Sequence, residues 1–192
     1  GEWIYLLHTG QGAAIWGLLL GLMALSIPAL AITGALSWAK ARRGRPALRG
    51  MAAASKAQTL ILVGSEGGST WGFATTLAKN LQTAKQSVHM AALNSFAPER
   101  YRHAERIVVM TATWGEGTAP SSAKRALERL AEATPTVPMT VLGFGDSSFP
   151  DYCGFATSFE TAARAKGWDL ILPEQRIDRG SPQEFARWGQ AF

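Results

Sequence analysis

Residues 59–70 read TLILVGSEGGST. The run Thr59-Leu-Ile-Leu-Val63 is apolar without alternation and too short for a helix. It breaks into a Gly/Ser turn, and a helical pattern resumes from Phe73 to Leu81. A short continuous apolar run bounded by turn residues predicts a strand buried on both faces. The same sequence of signals repeats down the chain. Val88–Leu93, Arg106–Met110, Met139–Leu142 and Leu170–Leu172 read as further strands. Ser121–Ala133, Phe155–Lys166 and a segment from Pro182 read as helices, with proline suited to a first helical turn. Strands apolar on both faces, alternating with amphipathic helices, predict an α/β fold with a doubly wound, five-stranded parallel sheet. Such sheets bind ligands beyond the carboxyl ends of their strands, at the point where the strand order reverses.

The remainder of the 192-residue chain has a different character. From Gly10 to Ala39 there is no Asp, Glu, Lys or Arg, a stretch long enough for a helix to cross a bilayer, which takes roughly 20 apolar residues. Trp16 and Trp38 lie near its ends, where indole rings favour the interface, and Pro28 in its middle is tolerated in lipid. Lys40, Arg42, Arg43, Arg45 and Arg49 follow directly. Cations on that side predict a cytoplasmic C-terminal flank. A buried helix of a soluble core is the alternative. The expected division is an extracytoplasmic end (1–11), a transmembrane helix (12–39), a basic cytoplasmic linker (40–56) and a folded domain (57–192), located at a bacterial-type inner membrane. The opening GEWIYLLHTG, without an initiator Met, reads as part of something longer.

The formal net charge is +5, but setting aside those five cations and Glu2 leaves 14 basic against 13 acidic residues. The positive charge therefore belongs to the membrane flank and does not indicate a nucleic-acid partner. A single cysteine, Cys153, excludes an internal disulfide framework and a cysteine-based structural zinc site, and fits a reducing compartment.

Three glycine- and hydroxyl-rich loops fall at predicted strand ends. The first, Gly64-Ser-Glu-Gly-Gly-Ser-Thr-Trp-Gly72, has neither the Lys-Ser/Thr of an ATP-type phosphate loop nor GxGxxG spacing. It offers the hydroxyls of Ser65, Ser69 and Thr70, beside Glu66 and the backbone amides freed by Gly67 and Gly68, at a helix N-terminus. That is an anion site built from neutral donors, suited to a phosphate monoester. The second, Thr111-Ala-Thr-Trp-Gly-Glu-Gly117, carries Ala112, Thr113, Trp114, Gly115 and Gly117 and puts a large ring on a loop over the sheet edge; burial of Trp114 under a helix is the alternative. The third, Gly145-Asp-Ser-Ser-Phe-Pro-Asp-Tyr-Cys153, brings Asp146 to accept from a ring N–H, Phe149 to stack on that ring, and Tyr152 and Cys153 to close onto the next helix. Offset aromatic stacks gain about 1 kcal/mol beyond burial. Together the loops suit a planar, phosphate-bearing heterocycle.

From about Thr59 to Trp188 the sequence resembles the flavodoxin family, and in particular the flavodoxin modules of diflavin reductases such as the sulfite reductase flavoprotein. The resemblance implies a flavodoxin-like fold binding FMN. Ser65-Glu-Gly-Gly-Ser-Thr70 occupies the place of the phosphate loop, Trp114 and Phe149 sandwich the isoalloxazine, and Asp146 with the Cys153 backbone meets its pyrimidine edge. Two residues depart from the pattern. Gly67 stands where the family usually has Thr or Ser, removing one phosphate hydroxyl, and Phe149 stands where Tyr is common. Leu7-His-Thr-Gly10 before a span ending Thr33-Gly-Ala-Leu-Ser-Trp38 resembles the last helix of PepSY-type membrane reductases. That implies His8 as a haem ligand, an interfacial histidine being the alternative. His89 and His103 have no ligand spacing and read as surface or structural residues.

The function these resemblances imply is a membrane-anchored FMN electron-transfer module. It takes electrons from NADPH through an FAD-containing, ferredoxin-reductase-type partner domain and passes them to a membrane haem or an iron(III) chelate. No general acid, base or nucleophile is expected, since the chemistry is the flavin's. The alternatives are an FMN-dependent quinone reductase, and a partner-binding scaffold that holds no FMN.

Overall fold

The computed structural model describes residues 3–5, 14–43 and 50–192, and the chain divides into two compact units, 1–45 and 46–192. In the first, helix α1 (Ala14–Arg43) contains the span Ala14–Ala39, with a mean hydropathy of 2.2 and all its large apolar side chains except Leu20 exposed. It is long and apolar enough to cross a membrane. The Ser26 hydroxyl donates to the Met23 carbonyl (2.6 Å) and Thr33 to that of Ala29 (2.9 Å). These polar groups are satisfied within the helix, as a lipid environment requires. His8 lies outside the described residues.

The second unit holds a five-stranded, all-parallel sheet: β1 (Thr59–Gly64), β2 (Val88–Ala92), β3 (Arg106–Ala112), β4 (Met139–Gly145) and β5 (Gln175–Asp178), in the order β2-β1-β3-β4-β5. The helices are α2 (Ser69–Thr83), α3 (Ala126–Glu132), α4 (Gly154–Ala165) and α5 (Pro182–Ala191). Strand residues alternate between two cores. Leu60, Leu62, Ile107, Val109 and Val141 pack with Leu130, Phe155 and Phe159 from α3 and α4. Ile61, Val63, Val108, Met110 and Leu142 pack with Trp71, Leu77, Phe185 and Trp188 from α2 and α5. Each fully buried Leu, Ile, Val or Phe contributes about 1.5–3 kcal/mol. Burial on both faces is why β1, β3 and β4 read as apolar runs. β1 lies between β2 and β3, so the chain reverses direction across it, and the crevice between the carboxyl ends of β1 and β3 is the switch point.

The fifth strand is not Leu170–Leu172. That segment makes a single parallel bridge, Met139 to Leu170, while the strand is the edge segment Gln175–Asp178, paired with Leu142–Gly145. Only Ile177 of it is buried, so it has no apolar run to recognise. The expected helix Ser121–Ala133 is also broken. Ser121–Ala123 forms a 3-10 turn and α3 begins at Ala126, because Ser121 and Ser122 turn to bond the first loop.

The outer edge of β2 is covered by the segment leading into the domain. The Ala52 amide donates to the Val88 carbonyl (2.9 Å), and Gln82 Nε2 to that of Gly50 (3.2 Å). Nδ1 of His89 lies 2.9 Å from the Ala52 carbonyl and Nδ1 of His103 2.7 Å from that of Ser55. A carbonyl only accepts, so both nitrogens carry the proton. Both histidines are therefore structural.

Candidate functional site

The three loops converge at the carboxyl ends of β1, β3 and β4 around a cleft of about 480 Å³. In the first, Gly68 precedes α2 without any side-chain cap, leaving the first-turn amides of the helix open. Thr70 follows, 1% exposed, its hydroxyl without a partner. Uncapped amides and an unpaired donor at the mouth of a cleft are the donor set that binding of an anion requires. Ser69 and Thr70 line the cleft. A Cβ at Gly67 or Gly68 would meet nothing within 4 Å, so both face open space.

Ser65 and Glu66 do not line the cleft; they anchor the loop. The Ser65 amide donates to Ser122 Oγ (2.7 Å), Ser122 Oγ donates to the Ser65 carbonyl (3.0 Å), and Ser65 Oγ donates to that of Gly67 (3.1 Å). Glu66 accepts from the amide and the hydroxyl of Ser121, so its carboxylate is engaged by the segment before α3.

From the second loop, Ala112, Thr113 and Gly115 line the cleft, whereas Thr111 is buried with its hydroxyl directed at the Gly64 carbonyl (3.3 Å). Trp114 and Thr118 exchange backbone hydrogen bonds across a tight turn, with Gly115 at φ 52° and Gly117 at φ 75°. The Trp114 ring is 59% exposed and stands outside the cleft wall; Gly117 packs instead against Asp151 of the third loop.

From the third loop, Gly145, Asp146, Phe149, Tyr152 and Cys153 all line the cleft. Gly145 permits the loop to close, since a Cβ there would come within 2.9 Å of the Tyr152 ring. Gly143 similarly lets α4 approach β4, with Ala156 2.9 Å from where its Cβ would lie. Asp146 Oδ1 accepts from the Ser148 hydroxyl (2.6 Å), the Ser148 amide (2.9 Å) and Arg179 Nε (3.0 Å). The Ser148 bonds, with Arg179 next, lower its carboxyl to about 2. Cys153, at φ 57°, caps the start of α4 with its thiol buried. Burial, and the Glu174 charge after it, push that thiol up to about 12, which removes it as a nucleophile. Burial likewise raises Tyr152 to about 12, and the Arg176 guanidinium lies 5.8 Å from its ring centre.

Four cleft residues escaped the sequence reading: Phe144, Asp151, Arg179 and Gly180. The last two follow β5 in Asp178-Arg-Gly180, a turn signal at a strand end that the misplaced fifth strand concealed. Asp178 accepts from the amide and hydroxyl of Ser147, both at 2.8 Å, and those bonds, the amide's first, lower its carboxyl. The β5–α5 turn thus braces the loop that carries Phe149. Among the described residues no cluster of His, Cys, Asp or Glu suits a metal ion.

Known proteins are similar to this chain. The chain is 29% identical over 140 residues to the sulfite reductase [NADPH] flavoprotein alpha-component of Shewanella oneidensis, covering 70% of this chain and 23% of that protein. It is 26% identical to the Bacillus subtilis counterpart, covering 68% of this chain and 22% of that one; it thus spans about a quarter of the length of these relatives. Probable flavodoxin 2 of Bacillus subtilis is 24% identical, with 71% of this chain and 94% of that protein aligned. Among solved structures, a flavodoxin of Streptococcus pneumonia TIGR4 superposes with a TM-score of 0.61 at 21% identity, covering 69% of this chain and 93% of that one. Oxidised Flavodoxin 2 of Bacillus cereus gives 0.60 at 20% identity, covering 70% and 97%. The family model for flavodoxin matches residues 61–188, from within β1 through β5 and including the three loops, and the chain belongs to the flavodoxin family.

Proposed function

We propose that this chain is an FMN-binding electron-transfer module held at a membrane by α1. The observation that carries the reading is the unpaired, buried Thr70 hydroxyl beside the uncapped amides of α2, at the mouth of a cleft formed at the sheet's switch point. A phosphate monoester supplies the acceptor that this hydroxyl and these amides lack. Phe149, which lines the cleft, is 65% exposed, and Trp114, on the loop beside it, is 59% exposed; both offer aromatic surface that burial against a planar ring would recover. Bound FMN would supply reversible one- and two-electron transfer.

The residues of this chain bind and orient. Ser69, Thr70 and the α2 amides hold the phosphate, with Ser65, Glu66, Gly67 and Gly68 shaping the loop. Phe149 and Trp114 would cover the ring faces. Gly145, Asp146, Tyr152 and the Cys153 backbone border the ring edge, while Thr111, Ala112, Thr113, Gly115 and Gly117 form the opposing wall. Electrons enter from NADPH through an FAD-containing reductase domain, a reading supported by the likeness to sulfite reductase flavoproteins. They would leave to a membrane haem or an iron(III) chelate; the apolar span of α1 supports a membrane location, with the folded domain on the cytoplasmic side.

The test is an FMN titration of the full chain in detergent, followed by flavin fluorescence. Quenching should saturate near one FMN per chain. Trp114→Ala should weaken binding roughly 2- to 10-fold, the worth of one aromatic stack. Absence of quenching at micromolar FMN would overturn the reading in favour of a scaffold without cofactor.

A further inference from the structure

The turn after β5 contains a backbone feature that its length alone does not require. Arg179 has φ 47° and Gly180 φ 63°. Two successive left-handed residues are routine for glycine, but an arginine in that region is strained by its Cβ. Its amide donates to the Gly145 carbonyl at 2.7 Å, a bond that glycine would make equally well without the strain. Only the side chain distinguishes arginine here, and it donates from Nε to Asp146 Oδ1 at 3.0 Å. A strained residue retained for one side-chain contact, at a cleft, points to function.

The charges lining the cleft give that contact a consequence. Arg179 is the one cation among the described residues that line it, against two carboxylates, Asp146 and Asp151. Arg176, the nearest other cation in sequence, is engaged by Glu174 at 3.0 Å and does not line the cleft. We infer that Arg179 is a tuning residue: by neutralising Asp146 at the cleft rim, it sets how tightly the chain holds reduced flavin relative to oxidised flavin. The inference rests on FMN occupying this cleft. Reduction adds negative charge to the ring, so a nearby cation favours the reduced form and an uncompensated carboxylate disfavours it. Loss of Arg179 does both at once, and the two effects share one sign. The side chains are 63% (Arg179) and 37% (Asp146) exposed, so solvent and salt screen the effect. A change of about tenfold in relative affinity is the expected scale.

Arg179→Gly is the discriminating variant, because it keeps the left-handed backbone and the amide bond to Gly145 while removing the guanidinium. The measurement is the midpoint potential of FMN bound to the full chain in detergent, read spectroelectrochemically alongside the dissociation constant of oxidised FMN. Arg179→Gly should bind oxidised FMN but titrate at a lower potential, equivalent to reduced flavin held about tenfold less tightly relative to oxidised flavin. The difference from the parent should shrink as salt is raised. Arg179→Lys should restore most of it, and adding Asp146→Asn to Arg179→Gly should return the potential towards the parent's. A parental potential in Arg179→Gly would overturn the inference while leaving FMN binding intact. So would a lowered potential that Asp146→Asn does not correct. A parent chain that binds no FMN would overturn the flavin reading and this inference with it.

Discussion

Thr70→Val exchanges a hydroxyl for a methyl of nearly the same shape at the most informative atom of the cleft. In the chain without ligand, Thr70 is 1% exposed and its Oγ1 has no partner. A buried, unsatisfied hydroxyl costs about 1–3 kcal/mol. Valine removes that cost, is equally β-branched and has a similar helix propensity. The apo chain should therefore gain on the order of 1 kcal/mol. With FMN the sign reverses, since the variant lacks one hydrogen bond to a charged phosphate, worth about 1.5–3 kcal/mol. That corresponds to a dissociation constant weaker by roughly 10- to 150-fold. Urea unfolding of the apo chain and flavin titration of the same preparation measure the two halves. A variant that is less stable without FMN and unchanged in affinity would refute the reasoning, because the hydroxyl would then serve the fold and not a ligand. The opposed signs separate a binding role from a packing role, since a packing residue loses both stability and affinity when damaged.

Gly67→Ser should tighten FMN binding several-fold and stabilise the apo chain by about 0.4–1 kcal/mol, because a Cβ there meets open space; titration and urea midpoints report both. Gly143→Ala should destabilise the domain by about 1–3 kcal/mol, since its Cβ would lie 2.9 Å from that of Ala156 and 3.0 Å from that of Cys153; a shifted urea midpoint with an unaltered slope is the expected sign. Asp146 should remain ionised down to about pH 2, held foremost by the Ser148 hydroxyl and amide. Its contribution to ordering the third loop is present above the unfolded value near 3.9 and is lost as pH falls through about 2. A carboxyl ¹³C titration should show this, with Ser148→Ala moving the midpoint upward.

How much of this was legible in the sequence follows from which forces act locally. Thr59–Val63 announces its strand because a central parallel strand is covered on both faces and must be apolar throughout. Gln175–Asp178 does not, because an edge strand with one buried residue carries no such signature. Leu170–Leu172 misled for the opposite reason: Leu170 and Leu172 are apolar because they pack on the core, Ile171 between them is exposed, and the segment makes a single parallel bridge. The glycine loops were readable as turns, and their hydroxyls as donors. Which donors point into the cleft was not, since Ser65 and Glu66 are drawn off by Ser121 and Ser122 from 55 and 57 residues away.

By itself, then, the amino-acid order determined the α/β class, the apolar helix Ala14–Ala39 and the three strand-end loops, because hydrophobic periodicity and glycine content act within a few residues. Only the tertiary structure decided that Thr70 and not Ser65 presents a free hydroxyl, that Trp114 stands outside the cleft wall, and that Arg179 faces Asp146 across 33 residues of chain. Those outcomes depend on which distant groups satisfy one another once the sheet is assembled. Hydrogen-bond partnership is a property of the folded arrangement, and no local pattern encodes it.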